Sequence, residues 1–274
     1  MRKNHAKKPR EKGWFSYLYV ALIILFFYLP IGIIIIFSFN EGTSLVRWTN
    51  FSLHWYEELF KDRIIMEAVQ TTVIIALLAT LISTIIGTLG AIGIATYKKK
   101  RNTTMVLNIN NLPLVTPDIV TAVAMSVLFS GFSMKAGFGT MLLAHIGFCT
   151  PYVIISVYPK MAQMDKNLIE AAMDLGATSR SAVFKVIIPE LLPSILSGAI
   201  MAFTMSFDDF IISYFVGGNT MNISTYIYAS FKKAKPTVNA LMTIIFIILA
   251  ILVLISTLLS MKGKGEKIHR RKKA

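Results

Sequence analysis

Apolar residues run along this chain in long stretches, and the charges gather in the short segments between them. Residues 14–40, 68–97, 136–159 and 236–261 contain no charged side chain. Each stretch exceeds the roughly 20 residues that a helix needs to cross a bilayer. The pattern predicts spans near 14–39, 69–96, 104–130, 139–159, 190–216 and 237–261. It describes an all-α, polytopic membrane protein with six transmembrane helices.

Composition agrees with this pattern. Of 274 residues, 55% are hydrophobic and 15% charged, where a soluble domain carries about 25% charged residues. The deficit argues against a soluble enzyme with one packed core. The net charge of +14 is spread in a way that sets topology. Basic residues crowd 1–13, Lys98 to Arg101, and the tail from Lys262 to Lys273. With both termini inside, the cytoplasmic pieces 1–13, 97–103, 160–189 and 262–274 hold 21 of the 28 Lys and Arg, the bias expected of cytoplasmic loops. A nucleic-acid footprint needs a basic face on a folded domain, and no soluble stretch here is long enough to make one. The organisation is therefore a basic cytoplasmic N-terminus (1–13), a membrane domain (14–261) and a basic cytoplasmic tail (262–274). The first stretch is too long for the core of a secretory signal and no cleavage site follows it. The single cysteine, Cys149, is expected to be a small buried packing residue.

Several local features refine the picture. The outer segment from Arg47 to Met66 carries Trp48, Phe51, Trp55, Tyr56 and Phe60, suited to a short helix in the membrane interface. Trp48 and Trp55 either belong to that aromatic belt or line an outer vestibule where a cation meets an aromatic face. In the second span Ser83, Gly87, Ala91 and Ala95 recur every four residues, a close-packing face and a candidate for meeting a partner subunit. The third span contains Pro113 and Pro117, each able to kink a helix.

Three acids fall inside the predicted spans: Asp118, Asp208 and Asp209. No Lys or Arg lies within any span to neutralise them. An ionised aspartate at the centre of a membrane helix costs on the order of 2.5–3.5 kcal/mol, so such residues face an aqueous cavity or an internal partner. With straight helices rising about 1.5 Å per residue, Asp118 lies roughly 21 Å from the cytoplasmic end of its span and Asp208 roughly 27 Å from that of the fifth. Neighbouring residues on a helix diverge by about 100°, so Asp208 and Asp209 face one point only if the helix breaks. Acids at separate depths suggest an acidic route for a cation rather than a metal cage, since calcium or magnesium wants about six oxygen ligands together. The alternatives are structural: Asp118 bonding backbone freed by a kink, and the Asp208–Asp209 pair serving only the fold. His145 reads as a hydrogen-bonding packing residue. No phosphate-cradling glycine loop is present, so no ATP site is expected in this chain.

The longest internal loop, 160–189, carries KMAQMDKNLIEAAMDLGATSRSAVFKVIIP. Asp165 or Asn167 can cap a short helix, Gly176 can end it, and Thr178 or Ser179 can cap a second running toward Pro189. Leu168, Ile169, Val183 and Phe184 give it apolar surface for a partner. Glu170-Ala171-Ala172, then Gly176, then Val186-Ile187-Ile188-Pro189 resembles the EAA loop of ABC importer permeases. The family's Ile-x-Leu-Pro ending is here Val186-Ile187-Ile188-Pro189. Ala202 to Phe210, Ile212 to Phe215, Leu112 to Asp118 and Pro236 to Leu241 look like the C-type permease of spermidine/putrescine importers.

That resemblance implies a type I ABC importer permease fold in a bacterial cytoplasmic membrane. It implies a second permease subunit, two cytoplasmic ATPases that hold ATP and magnesium, and an extracytoplasmic substrate-binding protein. This chain would bind no cofactor and catalyse nothing by itself. Glu170, Ala171, Ala172, Gly176 and Pro189 would form the ATPase-coupling element. Asp118, Ser206, Asp208, Asp209, Trp48 and Trp55 would line the substrate path, with a polyamine as passenger. Related permeases for thiamine or iron share the frame. A proton-coupled secondary transporter using the three acids as a relay, or a membrane scaffold using the inner loop for docking, are the readings from other classes.

Overall fold

The structure is a computed structural model that describes residues 14–44, 47–97, 99–165, 167–174, 176–231, 236–251 and 254. The basic clusters at 1–13 and 262–274 lie outside the described residues. Among those described, every named element is a helix, and the one β-type contact is an isolated bridge between Asn40 and Phe51. Two units can be distinguished, residues 1–62 with 230–274, and residues 63–229.

In the first unit, α1 (Trp14–Ser38) contains Pro30 and buries only its last residue. Its aromatic and aliphatic side chains, from Trp14 to Leu29, stand exposed on all sides, as on a helix solvated by lipid or by another subunit. After α1 the chain turns on Asn40, which is fully buried. The Asn40 amide donates to the carbonyls of Ser44 (3.2 Å) and Arg47 (3.0 Å), while its Oδ1 accepts from Thr49 N and Thr49 Oγ1 (2.8 and 2.9 Å). One side chain thus satisfies a loop that has almost no regular backbone pairing. The short α2 (His54–Lys61) follows, so the expected interfacial helix exists but occupies only the second half of the aromatic segment. The last described helix of this unit is Thr237–Ile251.

In the second unit, α3 (Arg63–Ala95), α6 (Phe138–Ala162) and α9 (Ile188–Phe207) make the core. Small residues decide how closely they approach. A Cβ on Gly87 would sit 2.6 Å from Val153 Cβ, and one on Gly198 would sit 3.2 Å from Val153 Cα. Ser83, Gly87 and Ala91 are buried. The small-residue face of the second span is therefore consumed inside this chain, packing α3 on α6, and is not a surface left for a partner subunit. Cys149 is fully buried and its thiol donates to the Ala202 carbonyl at 3.4 Å.

Three predicted boundaries shift. The second span starts at Arg63, because an exposed Arg63–Glu67 pair (2.7 Å) continues the helix beyond the apolar run. The third span is not one kinked helix. It divides into α4 (Lys100–Val115) and α5 (Asp118–Gly131), bent by 106°. Thr116 is extended (φ −82°, ψ 136°), as a residue before proline prefers, and Pro117 has no N–H to carry the ladder onward. The fifth span begins well before residue 190. After α7 (Asn167–Asp174), Thr178 Oγ1 accepts from Ser181 N and opens α8 (Ser179–Ala182). A π turn over Val183–Ile187 leads directly into α9. The Ile188 N–H reaches back to the Val183 carbonyl, and Pro189, with no N–H, lies just beyond. Among the described residues, four helices are long and apolar enough to span a membrane, five if α4 and α5 together form one.

Candidate functional site

The fifth span breaks where its two adjacent acids stand. α9 ends at Phe207, and α10 (Ile211–Val216) starts after Asp208, Asp209 and Phe210. The break meets the condition for both acids to face one point. Together with the bend at Pro117, it brings all three acids to a single cavity of about 400 Å³. Asp118, the first residue of α5, and Asp208 and Asp209 line it with Pro113, Thr121, Phe148, Tyr152, Met205 and Phe210. Among the described residues, no Lys or Arg lines it. The picture of acids spaced along a route at separate depths is thereby corrected, because the straight-helix arithmetic behind it fails at both breaks. Among the described residues, no three His, Cys, Asp or Glu side chains are grouped to hold a metal ion.

The two neighbouring aspartates have different surroundings. Asp209 is 10% exposed at its side chain. Its Oδ1 accepts from Ile212 N (3.2 Å), and its Oδ2 accepts from Ser213 N and Ser213 Oγ (both 2.8 Å). It caps α10, satisfying N–H groups that a helix start leaves without intrahelical partners. Asp208 carries no such load. Its carbonyl accepts from Ser224 Oγ at 3.3 Å, while its exposed carboxylate faces the cavity with no partner side chain among the described residues.

Behind Asp209 lies a buried polar chain. Asn222 Nδ2 donates to the Asp209 carbonyl and to Ser213 Oγ, both at 2.8 Å. Asn222 also opens α11 (Ile223–Phe231): its Oδ1 accepts from Thr225 N at 2.8 Å, and Thr225 Oγ1 accepts from Asn222 N at 2.9 Å, a reciprocal cap. His145, on α6 and 1% exposed, places Nε2 3.0 Å from Ser213 Oγ and Nδ1 2.6 Å from Ser206 Oγ. A serine hydroxyl has one proton and two acceptor positions. Ser213 donates to Asp209 and accepts from Asn222, so its remaining position accepts the Nε2–H of His145. His145 Nε2 also stands 3.4 Å from Asp209 Oδ2, so the ring touches both the capping carboxylate and the serine it binds.

The remaining predicted residues are placed as follows. Ser206 is 1% exposed and bonded to His145, so it stands behind the cavity wall and not on it. Trp48 and Trp55 belong to the first unit. The Trp55 indole donates to the Asn40 carbonyl at 2.7 Å, and Trp48 sits edge-on to Phe37. Glu170 and Ala171 fall on α7, and their side chains lie outside the described residues. The Ala172 carbonyl accepts from Ala177 N (3.0 Å) and the Met173 carbonyl from Gly176 N (2.9 Å), with Gly176 at φ +86°. This pair of bonds around a left-handed glycine is a Schellman close. Tyr152, Thr121, Ser213 and Asn222 were not singled out from sequence, and each is an ordinary polar residue of its segment until the fold is known.

A family model described as "Binding-protein-dependent transport system inner membrane component" matches residues 87–262. The chain belongs to this family of membrane permease components. Among its relatives is a protein of Haemophilus influenzae named "Spermidine/putrescine transport system permease protein PotC", 35% identical over 89% of this chain and 96% of that one. The Escherichia coli protein of the same name is 33% identical over 90% and 95%. "Putrescine transport system permease protein PotI" of E. coli is 32% identical over 89% and 90%. A chain of a bacterial ABC transporter involved in import of the acidic polysaccharide alginate shares the fold of this permease component. Its TM-score is 0.70 at 13% identity, over 91% of this chain and 99% of that one. A chain of the MetNI methionine ABC transporter gives 0.57 at 18% identity, over 70% and 92%.

Proposed function

We propose that this chain is one membrane subunit of an ATP-driven importer of polyamines, spermidine and putrescine among them. The observation that carries the reading is the cavity where Asp118, Asp208 and Asp209 meet with no Lys or Arg among the described residues that line it. A di- or triamine supplies the missing positive charges through charge-assisted hydrogen bonds. Phe148, Tyr152 and Phe210 on the same wall offer ring faces to ammonium groups and apolar surface to the methylenes between them. Relatives matched over most of both chains and named for spermidine and putrescine transport support the same substrate class.

In this reading the chain crosses a bacterial cytoplasmic membrane six times with both termini inside, as the placement of 21 of 28 Lys and Arg favours. A second permease subunit completes the pore, and an extracytoplasmic binding protein delivers substrate. Two ATPases hold ATP and magnesium and receive the 160–189 loops, so this chain is not itself an enzyme. Their closure drives the spans outward-open, and hydrolysis resets the inward-facing state. Glu170, Ala171, Ala172, Gly176 and Pro189 belong to the coupling loop, while Trp48 and Trp55 support the outer segment.

The test is uptake of labelled spermidine in cells lacking this gene and complemented with the native chain or with Asp208→Asn. Restoration by the native chain alone, with the variant normally inserted, supports both the passenger and its contact. Restoration by both removes Asp208 from the path. No deficit in the deletion strain, with no redundant importer present, overturns the polyamine reading.

A further inference from the structure

The cavity wall divides its two adjacent aspartates into different roles, and a buried histidine stands behind the division. Asp208 and Asp209 follow one another, so the backbone at the break decides which carboxylate the cavity receives free. Asp209 is committed to α10 through Ile212 N, Ser213 N and Ser213 Oγ. What keeps α10 in that place is a bridge from the neighbouring helix: Ser206 on α9, His145 on α6 and Ser213 on α10 form one chain of bonds across the break. Both ends of the broken span are thus tied to the same imidazole. Asn222 adds a second tie, from the opening of α11 to the Asp209 carbonyl. Every polar position of Ser213 is used in this arrangement, so it has no slack to compensate for the loss of one partner.

We infer that His145 is a positioning residue of the cation path: it holds the break between α9 and α10 so that, of the adjacent pair, Asp209 stays a cap and Asp208 presents a free carboxylate to the cavity. This rests on the proposal that Asp208 meets the passenger, and it reassigns Ser206 and Asp209 from contact to support. Removing the imidazole orphans the Ser206 hydroxyl and takes one donor from Ser213. The break then relaxes toward continued helix or a different turn, and the aspartate direction changes without any change in charge.

The experiment uses the assembled transporter in membrane vesicles, with Asp208→Cys introduced into chains carrying His145, His145→Phe or His145→Gln. The fully buried native Cys149 serves as the background. Labelling of residue 208 by a positively charged methanethiosulfonate is expected to slow about tenfold with His145→Phe, equivalent to about 1.4 kcal/mol. It should recover at least half-way on that scale with His145→Gln, whose amide both donates and accepts. With Asp208 retained, His145→Phe should raise the spermidine KM about tenfold, and leave the maximal rate within about twofold.

Equal labelling of residue 208 in the native and His145→Phe backgrounds overturns the inference. So does a fall in maximal rate at unchanged KM. Should His145→Phe fail to assemble, Ser206→Ala decides: it removes only the hydroxyl bonded to Nδ1, and native labelling in that variant overturns the inference. Should the native transporter carry no polyamine, the proposed substrate fails, while the labelling series still decides the geometry.

Discussion

Gly176 offers a perturbation whose cost is read almost entirely from one angle. Its φ of +86° lies in the region that L side chains seldom adopt, and a Cβ added there would meet nothing within 4 Å. Packing therefore contributes nothing to the effect of Gly176→Ala, and the whole penalty is conformational. Placing an L residue in a left-handed conformation costs roughly 1–2 kcal/mol. That shifts the loop away from its Schellman close by about five- to thirtyfold. Asn tolerates positive φ better than other residues, so Gly176→Asn should fall between the native chain and Ala. Gly176→Pro is worse on two counts: proline fixes φ near −65°, and it removes the N–H that bonds the Met173 carbonyl at 2.9 Å.

If α7 and the turn after it dock on an ATPase, uptake should follow the order Gly, Asn, Ala, Pro. The assay pairs ATP-driven uptake in vesicles with the amount of ATPase retained by the purified membrane subunit. Insertion, checked by protease accessibility, should be the same for all four. Native uptake with Gly176→Pro would refute the docking argument. So would a series in which Ala equals Gly, because the angle would then carry no functional constraint.

Other outcomes are as definite. Gly87→Leu forces a side chain into Val153, where even a Cβ would lie 2.6 Å away. It should destabilise the α3–α6 contact by about 1–3 kcal/mol, lowering the detergent melting temperature, with partial recovery in the double variant carrying Val153→Ala. Asn40→Ala removes the buried amide that holds the loop from Glu41 to Thr49. It leaves backbone groups unpaired at about 1–3 kcal/mol, and limited proteolysis should begin to cut there. Pro117→Ala restores an N–H at the 106° bend and relaxes the restriction on Thr116. It should raise the spermidine KM by moving Asp118 away from the cavity, and an unchanged KM would remove Asp118 from the path.

How much of this was visible in the sequence depends on whether a feature is local. The helical character of the apolar runs, the three acids and the Gly176 stop follow from hydropathy, charge and one residue's conformational freedom, while of six predicted spans four, or five with the bent pair, are long and apolar enough among the described residues. Boundaries failed where continuity depended on something other than hydropathy. An Arg63–Glu67 pair carries α3 beyond the apolar run, and a π turn carries the fifth span through the segment before Pro189. The meeting of the acids was hidden for a different reason. Proline inside a membrane segment is compatible with a mild kink or a full break, and only the surrounding helices choose between them. His145 was read correctly as a hydrogen-bonding residue, but its partners Ser206 and Ser213 lie 61 and 68 residues away. No local pattern announces such a pairing.

The two helix breaks do more than bend the chain, because each turns an expensive residue into a useful one. In a straight apolar helix Asp118 would sit mid-span with its neighbours' backbone already satisfied, and Asp208 and Asp209 would point about 100° apart. Breaking the helix at Pro117 makes Asp118 the first residue of α5, close to a helix start where negative charge is stabilised. Breaking it again after Phe207 exposes N–H groups that Asp209 satisfies, which leaves Asp208, of the adjacent pair, with no partner side chain among the described residues. The membrane's penalty on charge falls where a carboxylate borders a cavity and vanishes further when a cation occupies it. A passenger with two or more ammonium groups therefore stabilises the carboxylates that border the cavity, and a neutral solute offers no such gain. On this argument charge count, rather than shape, should rank competing solutes. Spermidine should inhibit labelled putrescine uptake more strongly than monoamines of matched length, and equal inhibition by a monoamine would refute the electrostatic reading of the cavity.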